Sequence, residues 1–246
     1  MLLGQYLPSG ISHPVLSYKR MIGTLSLYTE GIMGTALGAI VSTVGAVLVF
    51  AGFLEISGAS KVFMNLTILL FGRFTGGAAK IAVVSSSLFG TISGSAAANV
   101  AGTGIITIPL MRKTGFEPHY AGAVEATASS GGQIMPPIMG AAAFLMAGMV
   151  GVQYGEIAMR AIFPALLYFT GIFITVHLEA KRLGLKGIPK DELPKFGPLF
   201  VRQGYLLIPL VALVAMVMMG YTMSRAAIIA TALAILVSMP NHETRM

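Results

Sequence analysis

The sequence predicts an all-α integral membrane protein, a polytopic helical bundle with a re-entrant hairpin and a discontinuous helix. Three observations carry that prediction. Hydrophobic residues fill 55% of the 246 positions and charged residues only 10%, with a mean hydropathy of +0.82, whereas a soluble chain carries about a quarter charged residues. The apolar residues lie in long blocks separated by short polar clusters, as a bundle of spans requires. Two of those blocks are interrupted by Gly, Ser and Pro, which a plain span does not tolerate well.

Residues 1–29 read as an N-terminal periplasmic or interfacial segment, with no cleavable signal pattern. Residues 30–180 read as one permease half. Its first span covers 31–54, which is 24 uncharged residues between Glu30 and Glu55; about 20 suffice to cross the hydrocarbon. Over 58–74 the pattern turns amphipathic, with Val62, Phe63, Leu66, Leu69 and Leu70 on one side and Lys61 and Asn65 on the other. That pattern predicts a connecting arm helix at the interface.

The segment 79–111 would run about 50 Å as one helix, too long for a core of about 30 Å yet too short for two full crossings. A re-entrant hairpin fits, with its tip in Gly90–Asn99, where Gly, Ser and Asn tolerate broken helix geometry and supply oxygens. The segment 118–148 is long enough to cross, but Ser129-Ser-Gly-Gly-Gln-Ile-Met-Pro-Pro137 interrupts it, so it reads as a broken helix. A plain span follows at 157–178. Residues 181–204 form a basic loop, and 205–240 hold two closing spans joined at Tyr221–Arg225.

If the hairpin returns to its starting side and the broken helix crosses, twelve of the 16 Lys and Arg share one face, Lys61, Arg73, Lys80, Arg112, Lys113, Lys181 and Arg182 among them. The positive-inside rule assigns that face to the cytoplasm. The remaining basic residues, Lys19, Arg20, Arg160 and Arg225, take the other face.

Composition also excludes. Zero Cys removes disulfides, thiolate metal sites and Cys nucleophiles, and four scattered His form no ligand cluster, so no metal centre, cofactor or enzyme chemistry is expected. The net charge of +7 is explained by orientation in a bilayer rather than by nucleic acid. Many of the 30 Gly suit close helix approach in lipid.

Irregular chain at membrane depth persists only where protein buries it or a cavity adjoins it. In secondary transporters, opposed half-helices aim positive N-terminal ends at an anionic substrate while unwound carbonyls and hydroxyls hold the coupling cation. The hairpin tip and the Ser129–Pro137 break are the two candidates for that pair. Neither contains Lys or Arg, so a substrate carboxylate there would rely on backbone amides, Ser, Thr and Asn. Glu125 is the one carboxylate deep in a predicted span, on a stripe with Ala121, Ala128, Ser129 and Gly132. It is a candidate coupling residue, with a hydrogen-bonded helix clamp as the structural alternative. Alternatives of a different class are an intramembrane serine protease using Ser93 and a non-transporting structural or channel subunit. A protease needs a positioned base, and His119 and His177 lie near span ends.

The runs KIAVVSSSLFGTISGSAAANVAGTGIITIPLM, GFEPHYAGAVEATASSGGQIMPPIMGAAAF and VHLEAKRLGLKGIP resemble the large membrane subunit of tripartite ATP-independent periplasmic (TRAP) transporters. They look most like the fused permeases that work with TAXI-type binding proteins, over about residues 24–200. The resemblance implies one half of an inverted-repeat, elevator-type carrier in a bacterial or archaeal cytoplasmic membrane. It also implies uptake of small organic anions, carboxylates or amino acids, coupled to Na⁺ or H⁺ and supplied by a periplasmic binding protein. Carried over, the substrate and cation site takes Ser93, Gly94, Ser95 and Asn99 from the tip, with Ser130, Gly131, Gly132 and Pro136 from the break. The second hairpin, the second broken helix and the small-subunit helices of fused members are missing here, so the expected partners include a second permease half and those helices.

Overall fold

The computed structural model describes residues 17–27, 34, 37–38, 40–188 and 204–239. The predicted segments at 1–16 and 189–203, the start of the first span and the tail from 240 fall wholly or partly outside those residues. Among the described residues the regular structure is entirely helical: α1 (Tyr18–Leu27), α2 (Gly45–Ile56), α3 (Ala59–Phe71), α4 (Gly77–Ser93), α5 (Ala96–Lys113), α6 (Pro118–Gly131), α7 (Ala141–Val150), α8 (Tyr154–Arg182), α9 (Ile208–Met218) and α10 (Met223–Ser238). A π-helical turn (Ile40–Val44) precedes α2, and 3₁₀ turns follow α6 and precede α9.

One described helix, α8, is long and apolar enough to cross a membrane alone, while α2 and α3 pass that test only together and are bent by 64°. The bend falls at Gly58, whose φ of +92° suits glycine. The arm does not keep the simple two-sided pattern expected: Val62, Phe63, Met64 and Thr67 are buried, while Leu70 is exposed. Large apolar side chains such as Leu48, Ile105, Phe163, Leu166, Leu167 and Ile228 stand on the outer surface. A water-facing surface does not carry so many, but lipid or further protein accommodates them.

Two large apolar clusters organise the interior, with a small third one of Met139, Ala143 and Ala158 beside the break. One joins α2, α3, α9 and α10 through Phe50, Leu54, Phe63, Leu213 and Ala226. The other joins α4, α5, α6 and α8 through Ala79, Val83, Met111, Val124 and Val176. Ile92 near the end of α4, Ile138 in the break and Phe144 of α7 belong to the first cluster, so the hairpin tip and the break lie where the two units meet.

α4 and α5 fold back on each other across two residues, Gly94 and Ser95. Gly94 ends α4 with a left-handed φ of +58°, and Ser95, in extended conformation, caps α5 by accepting from the Ala98 amide at 3.4 Å. The 17-residue α4 and 18-residue α5 are each about 25–27 Å long. Lys80, one of the twelve basic residues expected to share a face, is buried. Its Nζ lies 3.1 Å from His177 Nδ1 and over the Phe74 and Phe173 rings. The reason is positional, since the first turn of α4 packs on the last turns of α8, where a Cβ at Gly76 would stand 2.4 Å from that of Ala180.

Candidate functional site

α6 begins with Pro118 as its first residue, where a missing N–H costs nothing. It carries Glu125 into the interior against α4 and α5. The carboxylate is 0% exposed. Its Oε1 accepts from Thr103 Oγ1 at 2.5 Å, Ser86 Oγ at 3.1 Å and Ser129 Oγ at 3.1 Å, while Oε2 accepts from Thr107 Oγ1. Four hydroxyls from three helices thus converge on one carboxylate, so each of its oxygens is met, as burial demands. A Cβ at Gly104 would come 3.2 Å from the Glu125 side chain, so a small residue is needed there.

Above this group, Asn99 of α5 is also fully buried. Its Nδ2 donates to Ser86 O at 2.8 Å, and its Oδ1 lies 3.3 Å from Thr103 Oγ1. Ser95, Asn99, Thr103 and Thr107 follow one another at intervals of four, which places them on one face of α5. That face runs from the hairpin tip down to Glu125.

The break begins where α6 meets proline. Pro136 and Pro137 lack the N–H groups that would bond the carbonyls of Gly132 and Gln133 in a continuing helix. Those carbonyls are met by Met135 N at 3.2 Å and Gly140 N at 2.7 Å. The chain turns through the 3₁₀ segment Gly132–Ile134, then through Met139 with φ of +56°, and resumes as α7 after Gly140. Tyr154 of α8 places its hydroxyl at Pro137 O (2.9 Å) and at Ile138 O, with its ring stacked on Phe144 at 4.4 Å.

Tip and break are in direct contact. A Cβ at Gly90 would stand 2.3 Å from Gly132 Cα, and one at Gly132 would stand 2.7 Å from Asn99 Nδ2. A Cβ at Gly94 would meet Met139 O at 2.1 Å, and Gly94 O lies close to Gly140. The starts of α5 and α7 are therefore neighbours, and their positive ends share one locality.

Of the residues expected at the site, Gly94, Asn99 and Gly132 lie at this junction, Ser93 and Ser95 flank Gly94 in the tip turn, and Pro136 lies within the break, beside Ala158 and Val214. Ser93 Oγ donates to Ser95 O at 3.4 Å. Gly131 packs against the Tyr168 and Phe169 rings rather than toward the tip. Ser130 is exposed, with its hydroxyl donating to Ala126 O at 2.8 Å, because it sits on the far side of a turn that is still helical. Its neighbour Ser129 takes the inward position on Glu125. Sequence patterning does not mark Ser86, Thr103 or Thr107; for the two threonines the spacing of four on α5 is the signal, while Ser86 on α4 has none. A cavity of about 460 Å³ adjoins the break, lined by Gln133, Met139, Met146, Glu156, Arg160 and Ala161 among others. Arg160 thereby brings to the edge of the break a positive charge that neither tip nor break contains. Among the described residues no group of three or more His, Asp or Glu forms a metal site.

A family model described as the DctM component of tripartite ATP-independent periplasmic transporters matches residues 12–246. The chain is 30% identical over 139 residues to a C4-dicarboxylate TRAP transporter large permease protein of Vibrio cholerae, covering 56% of this chain and 30% of that protein. It is 25% identical over 199 residues to the protein of that description from Rhodobacter capsulatus, covering 76% of this chain and 45% of that protein. An isethionate TRAP transporter permease protein of Oleidesulfovibrio alaskensis is 30% identical over 141 residues, covering 57% of this chain and 22% of that protein. The chain spans less than half the length of each of these relatives.

Proposed function

The chain belongs to the DctM family of TRAP transporter large permeases, and from that premise we propose that it forms one half of a cation-coupled membrane carrier for small organic anions. The observation that supports this reading most is the contact between the α4–α5 tip and the α6–α7 break, where Gly90 meets Gly132 and two helices begin side by side. Half-helix ends and unwound carbonyls at one junction are what a secondary transporter uses to hold anion and cation together. In this proposal α4 and α5 form a re-entrant hairpin entering from the cytoplasmic side. The unit of α4 to α8 moves against the unit of α2, α3, α9 and α10 in an elevator-like step.

The coupling ion proposed for the tip is Na⁺. Ser93, Ser95, Asn99 and the carbonyls of the break are oxygen donors with no titrating side chain among them, so they suit a hard cation rather than a proton. Proton coupling would instead run through Glu125. Gln133 and Arg160 of the adjoining cavity supply the substrate carboxylate with a donor and a charge. Substrate reaches the site from a periplasmic binding protein, with TAXI type as the specific form proposed. A second permease half and small-subunit helices complete the carrier in the inner membrane. Small organic anions, carboxylates among them, are the substrate class that fits, in keeping with relatives named for C4-dicarboxylates and for isethionate, a sulfonate.

Reconstitution tests the proposal. Proteoliposomes containing the chain, a complementing permease half and the binding protein are expected to accumulate an organic acid when an inward Na⁺ gradient is imposed, and not under K⁺ alone. Accumulation by the 246 residues alone, or equal uptake with no cation gradient, would contradict it.

A further inference from the structure

The proton arithmetic of Thr103 leads beyond the tip. Its hydroxyl carries one proton, yet three acceptors lie within reach: Asn99 O at 2.8 Å, Asn99 Oδ1 at 3.3 Å and Glu125 Oε1 at 2.5 Å. A hydrogen bond to a carboxylate is about twice as strong as one to a neutral oxygen, and the Glu125 contact is also the shortest of the three. The proton therefore goes to Glu125. Asn99 Oδ1 and Thr103 Oγ1 are then two acceptor oxygens 3.3 Å apart with no proton between them; Ser86 Oγ, 3.2 Å from Thr103 Oγ1, can donate to the threonine oxygen, so the Asn99 oxygen is the one left without a donor. Asn99 cannot relieve this by turning its amide, because Nδ2 is engaged by Ser86 O at 2.8 Å. Both residues are buried, 0% and 3% exposed, so water does not reach them freely, and an unmet buried acceptor costs free energy. A desolvated cation meets both oxygens at once, since ligand oxygens about 2.4 Å from a cation of this kind stand about 3.3 Å from each other at a near-right angle.

We propose that Thr103 is a further member of the cation site, its hydroxyl oxygen paired with the Asn99 amide oxygen, and that Glu125 makes the pair possible by accepting the Thr103 hydrogen bond. This rests on the reading of the tip as a cation site and adds a residue one turn deeper. Thr107 is the internal comparison. It donates to the same carboxylate through Oε2, but it sits one turn farther from Asn99 and its own alternative acceptor is Thr103 O at 3.0 Å.

The test uses the purified 246-residue chain in lipid nanodiscs, because both oxygens lie within it. The thermal unfolding midpoint is followed as Na⁺ replaces choline at fixed ionic strength, giving a half-saturating Na⁺ concentration. Thr103→Val is expected to raise that concentration on the order of tenfold, while Thr103→Ser and Thr107→Val stay within about twofold of the parent. Thr103→Cys keeps a donor for Glu125 but offers sulfur to a hard cation, so it is expected to behave as Thr103→Val does even if the valine variant folds poorly. Equal shifts for Thr103→Val and Thr107→Val, or a parent-like value for Thr103→Cys, would overturn the role of Thr103 while leaving the cation site at the tip standing. A parent chain that Na⁺ does not stabilise at all would remove the tip site itself.

Discussion

Gly132 has no room for a methyl group: its Cβ would lie 2.7 Å from Asn99 Nδ2 and 2.8 Å from Gly90 Cα. Gly132→Ala is therefore expected to destabilise the folded chain by about 1–3 kcal/mol, read as a lower unfolding midpoint. Gly122→Ala, within α6 and with nothing within 4 Å, should raise the midpoint, by up to about 1 kcal/mol of helix propensity. Ser129 and Ser130 make a second pair. Removing the Ser129 hydroxyl takes a donor from the buried Glu125 and should cost about 1–2 kcal/mol, whereas Ser130→Ala, which loses an exposed bond to its own helix, should cost under about 0.5 kcal/mol. Sequence patterning puts Glu125 deep in a predicted span on a stripe with Ala121, Ala128, Ser129 and Gly132, and all five are buried. Helical spacing puts Ser129 on the Glu125 stripe, whereas the family resemblance assigns Ser130 to the site; the helix continues through both, so spacing decides and Ser129 faces inward.

At the scale of elements, the Gly/Ser tip and the Pro-Pro break were both legible, because residues that cannot hold helix geometry are few and conspicuous. Their extents were not. The turn of the hairpin is only Gly94 and Ser95, and helix persists on both sides through most of the small-residue run. The break starts at Gly132 rather than Ser129: Gly tolerates helix where its carbonyl partners are present, and only the prolines take the amides away. What holds the break open was invisible in sequence, since Tyr154 lies 17 residues beyond Pro137. Tyr154→Phe keeps the stack on Phe144 but removes the hydroxyl from the break carbonyls. It is expected to lower stability by about 0.5–1.5 kcal/mol and to speed amide exchange at Gly140 by roughly the corresponding factor, while exchange in α10 changes no more than global stability requires.

Across the whole molecule, five of the twelve basic residues expected to share a face gather at one end of the described structure, while Lys190, Lys195, Arg202 and Arg245 lie outside it. Ile188 N bonds Gly72 O at 2.8 Å, and a Cβ at Gly115 would meet Leu185, which brings Arg73, Arg112, Lys113, Lys181 and Arg182 together. The start of α8 lies beside Val217 near the end of α9, so Arg160 belongs to the opposite end. With no native Cys, Lys186→Cys should react with a membrane-impermeant thiol reagent only from the cytoplasm and Met149→Cys only from the periplasm. The reverse pattern would invert the orientation. Division into two packing units was not legible in sequence, because apolar blocks do not say which neighbour they choose. The same uniform apolarity hides the difference between a helix that spans alone, such as α8, and shorter helices that need company.

The most direct measurement of the junction is cation protection at its rim. Ala97 and Gln133 are exposed beside the tip and the break, and Ile105, 75% exposed, lies two turns farther along α5. Single cysteines at 97, 133 and 105 are reacted with a soluble maleimide in nanodiscs, in Na⁺ and in choline. Labelling at 97 and 133 is expected to slow several-fold in Na⁺, with no change at 105. Rates independent of Na⁺ at both 97 and 133, or slowed equally at 105, would contradict a cation site formed by hairpin tip and broken helix.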